Sequence, residues 1–131
     1  MQMSKNLKEV ARVIVTNDNG EFLVGKKRLG GNRRKWMILG GGINNGETPK
    51  KAALRELREE SGRDPIEITF LFKNTFGDWL TYYYLCTNIS KQKRRPDKEH
   101  SLIKFMPLSK LSKRNMGQDH FDVLKKVSKF K

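Results

Sequence analysis

The sequence predicts a mixed α/β fold. Three observations carry this: six short runs rich in β-branched and aromatic residues, a well-punctuated helix between the third and fourth of them, and a second helical pattern near the C-terminal end. The 131 residues match the commonest size for one domain, so a single domain over 1–131 is expected.

Glu9 to Thr16 (EVARVIVT) and Glu21 to Lys27 (EFLVGKK) read as strands, and Asn17-Asp18-Asn19-Gly20 between them reads as a hairpin turn. Arg28 to Lys35 is a basic, Gly-containing loop. Trp36 to Leu39 is a short strand running into Gly40-Gly41-Gly42, where missing side chains permit close backbone approach to a ligand or metal. Thr48 as N-cap, Pro49 at the first helical position and Gly62 as terminator bound a helix of roughly three and a half turns. Pro65 to Phe72 and Trp79 to Cys86 follow as strands, with Ser101 to Met106 as a weaker one. Asn88 to Glu99 is polar and basic and reads as an exposed loop. Asp119 to Lys129 closes the chain as a helix, with Phe121, Leu124 and Val127 on its buried face.

Apolar residues make up 36% of the chain and charged ones 32%, with 28 Lys+Arg against 14 Asp+Glu for a formal charge of +14. This describes a folded, strongly basic protein. The longest apolar stretch, around Leu80 to Cys86, is far shorter than the roughly 20 residues of a membrane span, so no membrane partner is expected. Met1 to Asn6 has no apolar signal-like run and Cys86 is the lone cysteine, which points to a reducing, cytoplasmic setting. The charge is uneven. From Asn88 to Lys131 there are 13 Lys/Arg and four acids, a net of +9, whereas six of the 14 acids fall between Glu47 and Glu67.

Inside the central helix Glu56, Glu59 and Glu60 stand at i, i+3 and i+4, so their carboxylates share one side, with Leu54, Leu57 and Ser61 on the other. Like charges at this spacing repel. Either the face is simply solvated, with Arg55 and Arg58 offsetting the repulsion, or the carboxylates hold a divalent cation such as Mg²⁺.

The longer pattern decides between these. Gly41, five residues, Glu47, seven residues and Arg55-Glu56-Leu57-Arg58-Glu59-Glu60-Ser61-Gly62 resemble the Nudix box, and eight fixed positions match by chance on the order of once in 10⁹ windows. Two positions depart from the family pattern: Arg63 stands at an aliphatic position and Leu39 where many relatives have Pro. Trp36 ahead of Gly40-Gly41, the strands after the box and Phe105-Met106-Pro107-Leu108 before the last helix are also similar to small, MutT-like Nudix hydrolases.

The resemblance implies an α/β/α sandwich around a central mixed sheet, with the box as loop, helix and loop and a C-terminal helix. It implies a Mg²⁺-dependent hydrolase, Mn²⁺ being a substitute, that cleaves a phosphoanhydride bond in a nucleoside diphosphate linked to another moiety. By the same resemblance Glu59 and Glu60 are the principal metal ligands, joined by the Gly40 carbonyl, and Glu56 binds a further metal or acts as general base. Arg55 orients the carboxylates, and Gly41, Glu47 and Gly62 are structural, Glu47 by pairing with Arg55. Some relatives recruit a further acid from a later loop, for which Glu99 is the candidate, ahead of Asp97. Residues at the start of the last helix help read the base in small relatives, and Gln118 and Asp119 occupy roughly that place.

A nucleoside triphosphate, oxidised or not, cleaved to monophosphate and pyrophosphate, is the first substrate implied. An RNA 5′ end, a nucleotide sugar or a dinucleoside polyphosphate are the alternatives, and an inactive nucleotide- or nucleic-acid-binding module is the alternative of another class. Arg28, Arg33, Arg34 and Lys35 read either as phosphate contacts or as a solvated loop. The basic C-terminal third makes nucleic acid a candidate partner. A monomer or homodimer is expected. Trp79, Tyr82, Tyr83 and Tyr84 read as half core rather than as a stacking platform, His100 and His120 as isolated, and Cys86 as a small buried residue.

Overall fold

A computed structural model describes residues 7–27, 35–95 and 100–129. The elements are β1 (Lys8–Val15), β2 (Phe22–Lys27), β3 (Trp36–Gly42), α1 (Pro49–Ser61), β4 (Pro65–Phe76), β5 (Trp79–Ile89), β6 (His100–Met106), a 3₁₀ turn (Leu108–Lys110) and α2 (His120–Ser128). The strands form one mixed sheet in the order β4-β5-β1-β3-β2-β6, in which only β1 and β5 run parallel.

Strand alternation sends side chains to two buried layers. Ala11, Val13, Val15, Leu39, Tyr84 and Cys86 pack with Ala52, Ala53 and Leu57 of α1. On the opposite side Ile14, Trp36, Ile38 and Tyr83 pack with Val123, Leu124 and Val127 of α2. The helices therefore lie on opposite faces of the sheet, which is the expected α/β/α sandwich. The buried face of α2 differs in detail from the sequence reading: His120, Val123, Leu124 and Val127 are buried, while Phe121 is half-buried at the edge of the layer.

Three expectations need correction. The Asn17–Gly20 turn forms, but β1 and β2 meet only at the Thr16–Phe22 bridge, and β3 lies between them in the sheet. The Asn17 side chain accepts from the amides of Asn19 and Glu21 at 3.1 and 2.9 Å, so local polar bonding holds the turn while the strands diverge. Secondly, β3 continues through Gly42 rather than stopping at Leu39, because Gly40, Gly41 and Gly42 pair with Arg12, Ala11 and Val10 of β1. Thirdly, β4 and β5 extend to Phe76 and Ile89, joined by a tight turn at Gly77-Asp78. Lys73 and Asn74 interrupt the apolar pattern, yet ladder bonding to β5 sustains an edge strand without burial on both sides.

β3 changes neighbours halfway along. Trp36 to Ile38 pair with β2, and Leu39 to Gly42 pair with β1. At that junction side chains serve the peptide groups of Ile38. Its N–H donates to His120 Nδ1 at 3.0 Å, and its carbonyl accepts from Arg12 Nη1 at 2.6 Å.

Candidate active site

The strand of glycines and α1 are brought together by local chemistry. Thr48 caps the helix, its hydroxyl accepting from the Lys51 amide at 3.2 Å, and Pro49 occupies the first turn. Gly62 ends it with φ 71°, a left-handed conformation, and donates its N–H to the Arg58 carbonyl. Ala52, Ala53 and Leu57 bury the helix against the sheet.

The same packing buries two of the three carboxylates. Glu56 is 1% exposed and Glu60 3%, while the Glu59 side chain retains 28%. Leu57 and Ser61 are buried and Leu54 is half-buried, so the helix does not divide into an acidic solvent face and an apolar core face. A solvated charged face is thereby excluded. Gly41 explains how Glu56 fits, since a Cβ there would come within 2.6–2.7 Å of all three atoms of the Glu56 carboxyl group. Glu60 Oε1 accepts from the Gly40 amide at 2.7 Å, which fixes the glycine strand against the helix.

Arg55 ties these groups together. Its Nε and Nη2 form a fork on Glu47 at 2.8 and 2.9 Å, Nη2 also donates to the Gly42 carbonyl at 2.9 Å, and Nη1 donates to Glu56 and Glu59 at 2.9 and 3.1 Å. The Arg55 fork, helped by the Asn44 amide, holds the Glu47 carboxyl at about 2, and the paired carboxylates push the Arg55 guanidinium up. At the far end of α1, Asp64 accepts from Arg58 at 2.8 Å and from Arg94 at 3.1–3.2 Å. These partners, Arg94 foremost, hold the Asp64 carboxyl at about 2.

The donor set consists of hard carboxylate and carbonyl oxygens, which suits Mg²⁺ or Mn²⁺ rather than a softer metal. Three carboxylates, Glu47, Glu56 and Glu59, accept from Arg55, Glu60 accepts from the Gly40 amide, and the space against Glu56 exists only because Gly41 lacks a Cβ. The residues fit a divalent cation in charge and donor type. Among the described residues no three such side chains already converge on one point, and Arg55 and the Gly40 amide engage oxygens of all three box glutamates.

A cavity of about 200 Å³ opens beside the glycines, lined by Val10, Arg12, Met37, Ile38, Gly40 to Gly42, Glu60 and Trp79. The sequence reading did not single out Arg12, although a charge inside the apolar run Val10 to Val15 was the available signal. It also set aside His120, which is fully buried and held neutral, well below the usual histidine range, by that burial and the nearby Arg12. Asp119 lies across from β4, accepting from Asn74 Nδ2 at 3.2 Å, whereas Gln118 is exposed with φ 46°. Lys35 donates to the Arg114 carbonyl at the opposite end of β3 from Gly41, ~20 Å away by strand rise, so it is not brought to the carboxylates. Arg28, Arg33, Arg34, Asp97 and Glu99 lie outside the described residues. Tyr83 and Tyr84 are core residues, and Trp79 and Tyr82 are half-buried. Among the described residues no helix is long and apolar enough to cross a membrane.

The chain is similar to an RNA pyrophosphohydrolase of Roseobacter denitrificans, with 43% identity over 70 residues that cover 53% of this chain and 42% of the relative. An RNA pyrophosphohydrolase of Acinetobacter baylyi matches with 46% identity over 70 residues, covering 53% of this chain and 39% of that one. The match thus spans about two fifths of the length of these relatives. The fold is similar to the crystal structure of a MutT NUDIX hydrolase from Burkholderia pseudomallei, with a TM-score of 0.77 at 22% identity, covering 92% of this chain and 97% of that one. It is also similar to the MutT structure described for Aliivibrio salmonicida and Vibrio cholerae, with a TM-score of 0.74 at 21% identity over 93% and 96% of the two chains. The NUDIX domain model matches residues 6–127, and the chain belongs to the NUDIX domain family.

Proposed function

We propose that this chain is a divalent-metal-dependent pyrophosphohydrolase that cleaves a phosphoanhydride bond in a nucleoside 5′-polyphosphate. The observation that carries this reading is the burial of Glu56 and Glu60 beside a strand of glycines, with Arg55 bridging Glu47, Glu56 and Glu59. Burying carboxylates is costly unless cations compensate them. A site that binds a cation and then phosphates gives that cost a use.

A divalent ion held by Glu59 and Glu60, with the Gly40 carbonyl and Glu56 as further donors, supplies charge neutralisation of the phosphates and activation of water when bound. The protein's own groups do the positioning. Arg55 sets the directions of the Glu56 and Glu59 carboxylates, and Glu47 in turn fixes the guanidinium. Glu60 and the Gly40 amide hold the glycine strand at a set distance from the helix. Glu56, buried beside that strand, is placed either as a further ligand or to accept a proton from the attacking water.

A free nucleoside triphosphate, oxidised or not, giving monophosphate and pyrophosphate, is the first substrate. The identity of 36–46% to RNA pyrophosphohydrolases over 70 residues favours a second reading, in which the 5′-polyphosphate belongs to RNA. The test is product release with Mg²⁺ from nucleoside triphosphates, nucleotide sugars, dinucleoside polyphosphates and 5′-triphosphorylated RNA, with Glu60→Gln as control. Turnover of one of these, lost in the variant, supports the proposal. Absence of turnover on every substrate, together with salt-sensitive RNA binding, means a binding module instead.

A further inference from the structure

A surplus of positive charge that the hydrolytic chemistry does not use lies at the C-terminal end of α1. Arg58 donates to Asp64 at 2.8 Å and Arg94 at 3.1–3.2 Å, and Lys93 Nζ stands 3.6 Å from the same carboxyl group. Three cations share one anion. Their side chains keep 42–59% of their surface, so the charges face water. Arg63 follows Gly62 directly, where the box pattern has an aliphatic residue, and Lys91 and Arg95 are exposed on either side of Lys93 and Arg94. Counted against Asp64, these six cations leave a local net of +5.

The segment that carries most of them is fixed to the helix end. The Ser90 amide donates to the Asp64 carbonyl at 2.8 Å, and the Asp64 amide donates to Ser90 Oγ at 2.9 Å. The Gly62 carbonyl accepts from the Lys93 and Arg94 amides at 2.8 and 3.3 Å, so the cations stand on a held backbone. Exposed ion pairs contribute only about 0–1 kcal/mol each, and like charges side by side oppose them. Holding the segment uses Arg58 and Arg94 on Asp64. Stability therefore does not account for Arg63, Lys91, Lys93 and Arg95.

Their position says what they meet. Gly62 lies two residues beyond Glu60 and three beyond Glu59, a helical rise of roughly 3–4.5 Å, so the cations begin where the carboxylates end. A free nucleoside triphosphate with its phosphates at the carboxylates has no further anion to place there. An RNA with the same 5′ end does, because its phosphodiesters continue one charge per nucleotide. Lys91 to Arg95 spans at most about 14 Å, room for roughly two or three successive phosphates. Residues 90–95 (SKQKRR) contain no apolar side chain, which suits a charged backbone and not a protein partner, whose interface needs a buried anchor.

We infer that the cations around Asp64 form a binding site for the phosphodiester backbone of RNA downstream of a 5′-polyphosphate. The inference deepens the proposed hydrolytic function and rests on its second reading, in which the polyphosphate belongs to RNA. Arg63, Lys91, Lys93 and Arg95 bind the phosphates, while Asp64, Arg58 and Arg94 hold the segment in place. Binding through these contacts is independent of base sequence and screened by salt.

The experiment measures binding in a chelator and turnover with Mg²⁺. Affinity for a 5′-triphosphorylated RNA of about ten nucleotides is followed from about 50 to 200 mM salt. Wild type is compared with the triple variant Lys91→Gln, Lys93→Gln, Arg95→Gln, which keeps Asp64, Arg58 and Arg94. The triple variant Lys110→Gln, Lys113→Gln, Arg114→Gln removes the same charge elsewhere and is the control. At about −0.7 in log–log slope per phosphate neutralised, the first variant should be shallower by about 2, losing roughly 18-fold less affinity across that range. The control should keep the wild-type slope. In turnover, the first variant should raise KM for the RNA at unchanged kcat and leave a nucleoside triphosphate unaffected. If that variant melts much lower than wild type, the wild-type ligands decide alone: the RNA should show a slope steeper by about 2 than a nucleoside triphosphate.

Equal slopes for wild type and the folded first variant overturn the assignment, as does an equal change in the control or equal wild-type slopes for RNA and nucleoside triphosphate. Turnover that persists under those results leaves the hydrolase reading intact without this site. Absence of turnover on every substrate, with the slope change confined to the first variant, sinks the hydrolase reading and leaves the RNA site standing.

Discussion

Arg55→Ala tests whether the carboxylates of α1 form one electrostatic unit. Arg55 makes five hydrogen bonds, to Glu47 twice, to the Gly42 carbonyl, to Glu56 and to Glu59. The partner that matters most is Glu56, 1% exposed, because Glu47 and Glu59 recover water when the guanidinium goes. Removing one partner of a buried ion pair costs about 3–5 kcal/mol, and the 26% exposure of Arg55 lowers this to roughly 2–3 kcal/mol. With an unfolding entropy of about 2.1 cal/mol/K per residue, each kcal/mol shifts Tm by roughly 3.6 °C at this size, so a fall of about 7–11 °C is expected.

Calorimetric melts at pH 7 in a chelator measure it, and Arg55→Lys, which keeps the charge but loses the fork, should fall between the two. The pH dependence supplies a second reading. Glu47 has a depressed pKa of about 2 in the fold, so its contribution is complete above the ordinary carboxyl range near 4.5 and disappears as pH falls towards 2. The gap between wild type and Arg55→Ala should therefore narrow over that window. A variant that melts within 2 °C of wild type at pH 7 would refute the reasoning, as would a gap that stays constant from pH 5 to 2.

Three further outcomes follow from the same geometry. Gly41→Ala places a Cβ 2.6–2.7 Å from the Glu56 carboxyl group, which must leave Arg55 or push the strand away. The overpacking costs about 1–3 kcal/mol by thermal melts, and activity should fall further than stability does. Gly62→Ala forces a side chain into a left-handed position at φ 71° and onto the Arg94 carbonyl, so its loss in melts should exceed the roughly 1–3 kcal/mol of backbone strain alone. Added Mg²⁺ should raise the Tm of wild type, because it binds only the folded state; an equal rise in Glu60→Gln would place the ion elsewhere.

What was legible in the sequence was what local chemistry writes. Thr48, Pro49 and Gly62 mark the ends of α1 through its own backbone, and the i, i+3, i+4 glutamates share a side by helix geometry alone. The burial of Glu56 and Glu60 was not legible in the helix, whose acidic face looks solvated; it depends on Gly40 and Gly41, 15 to 20 residues earlier. The strand order was misread for a related reason. Asn17 to Gly20 favours a hairpin locally, but the hydrogen-bond partner of β1 on that side is β3, not β2. Arg12 was not singled out and His120 read as isolated because their common partner, the Ile38 peptide, is 26 residues from one and 82 from the other. Lys35 shows the converse, a cation close to the glycines in sequence and held at the far end of the strand in space.

The account's central claim is that the buried glutamates of α1 hold a cation for hydrolysis rather than merely holding the fold. The most direct measurement is the Mg²⁺-dependent initial rate of Glu60→Gln against wild type, on the substrate turned over fastest, with both proteins melted in a chelator. The glutamine keeps an acceptor for the Gly40 amide, so the account predicts matching melts and a rate reduced by about 100-fold or more. A rate within threefold of wild type would contradict it, as would a rate loss accompanied by an equally large collapse of the metal-free fold.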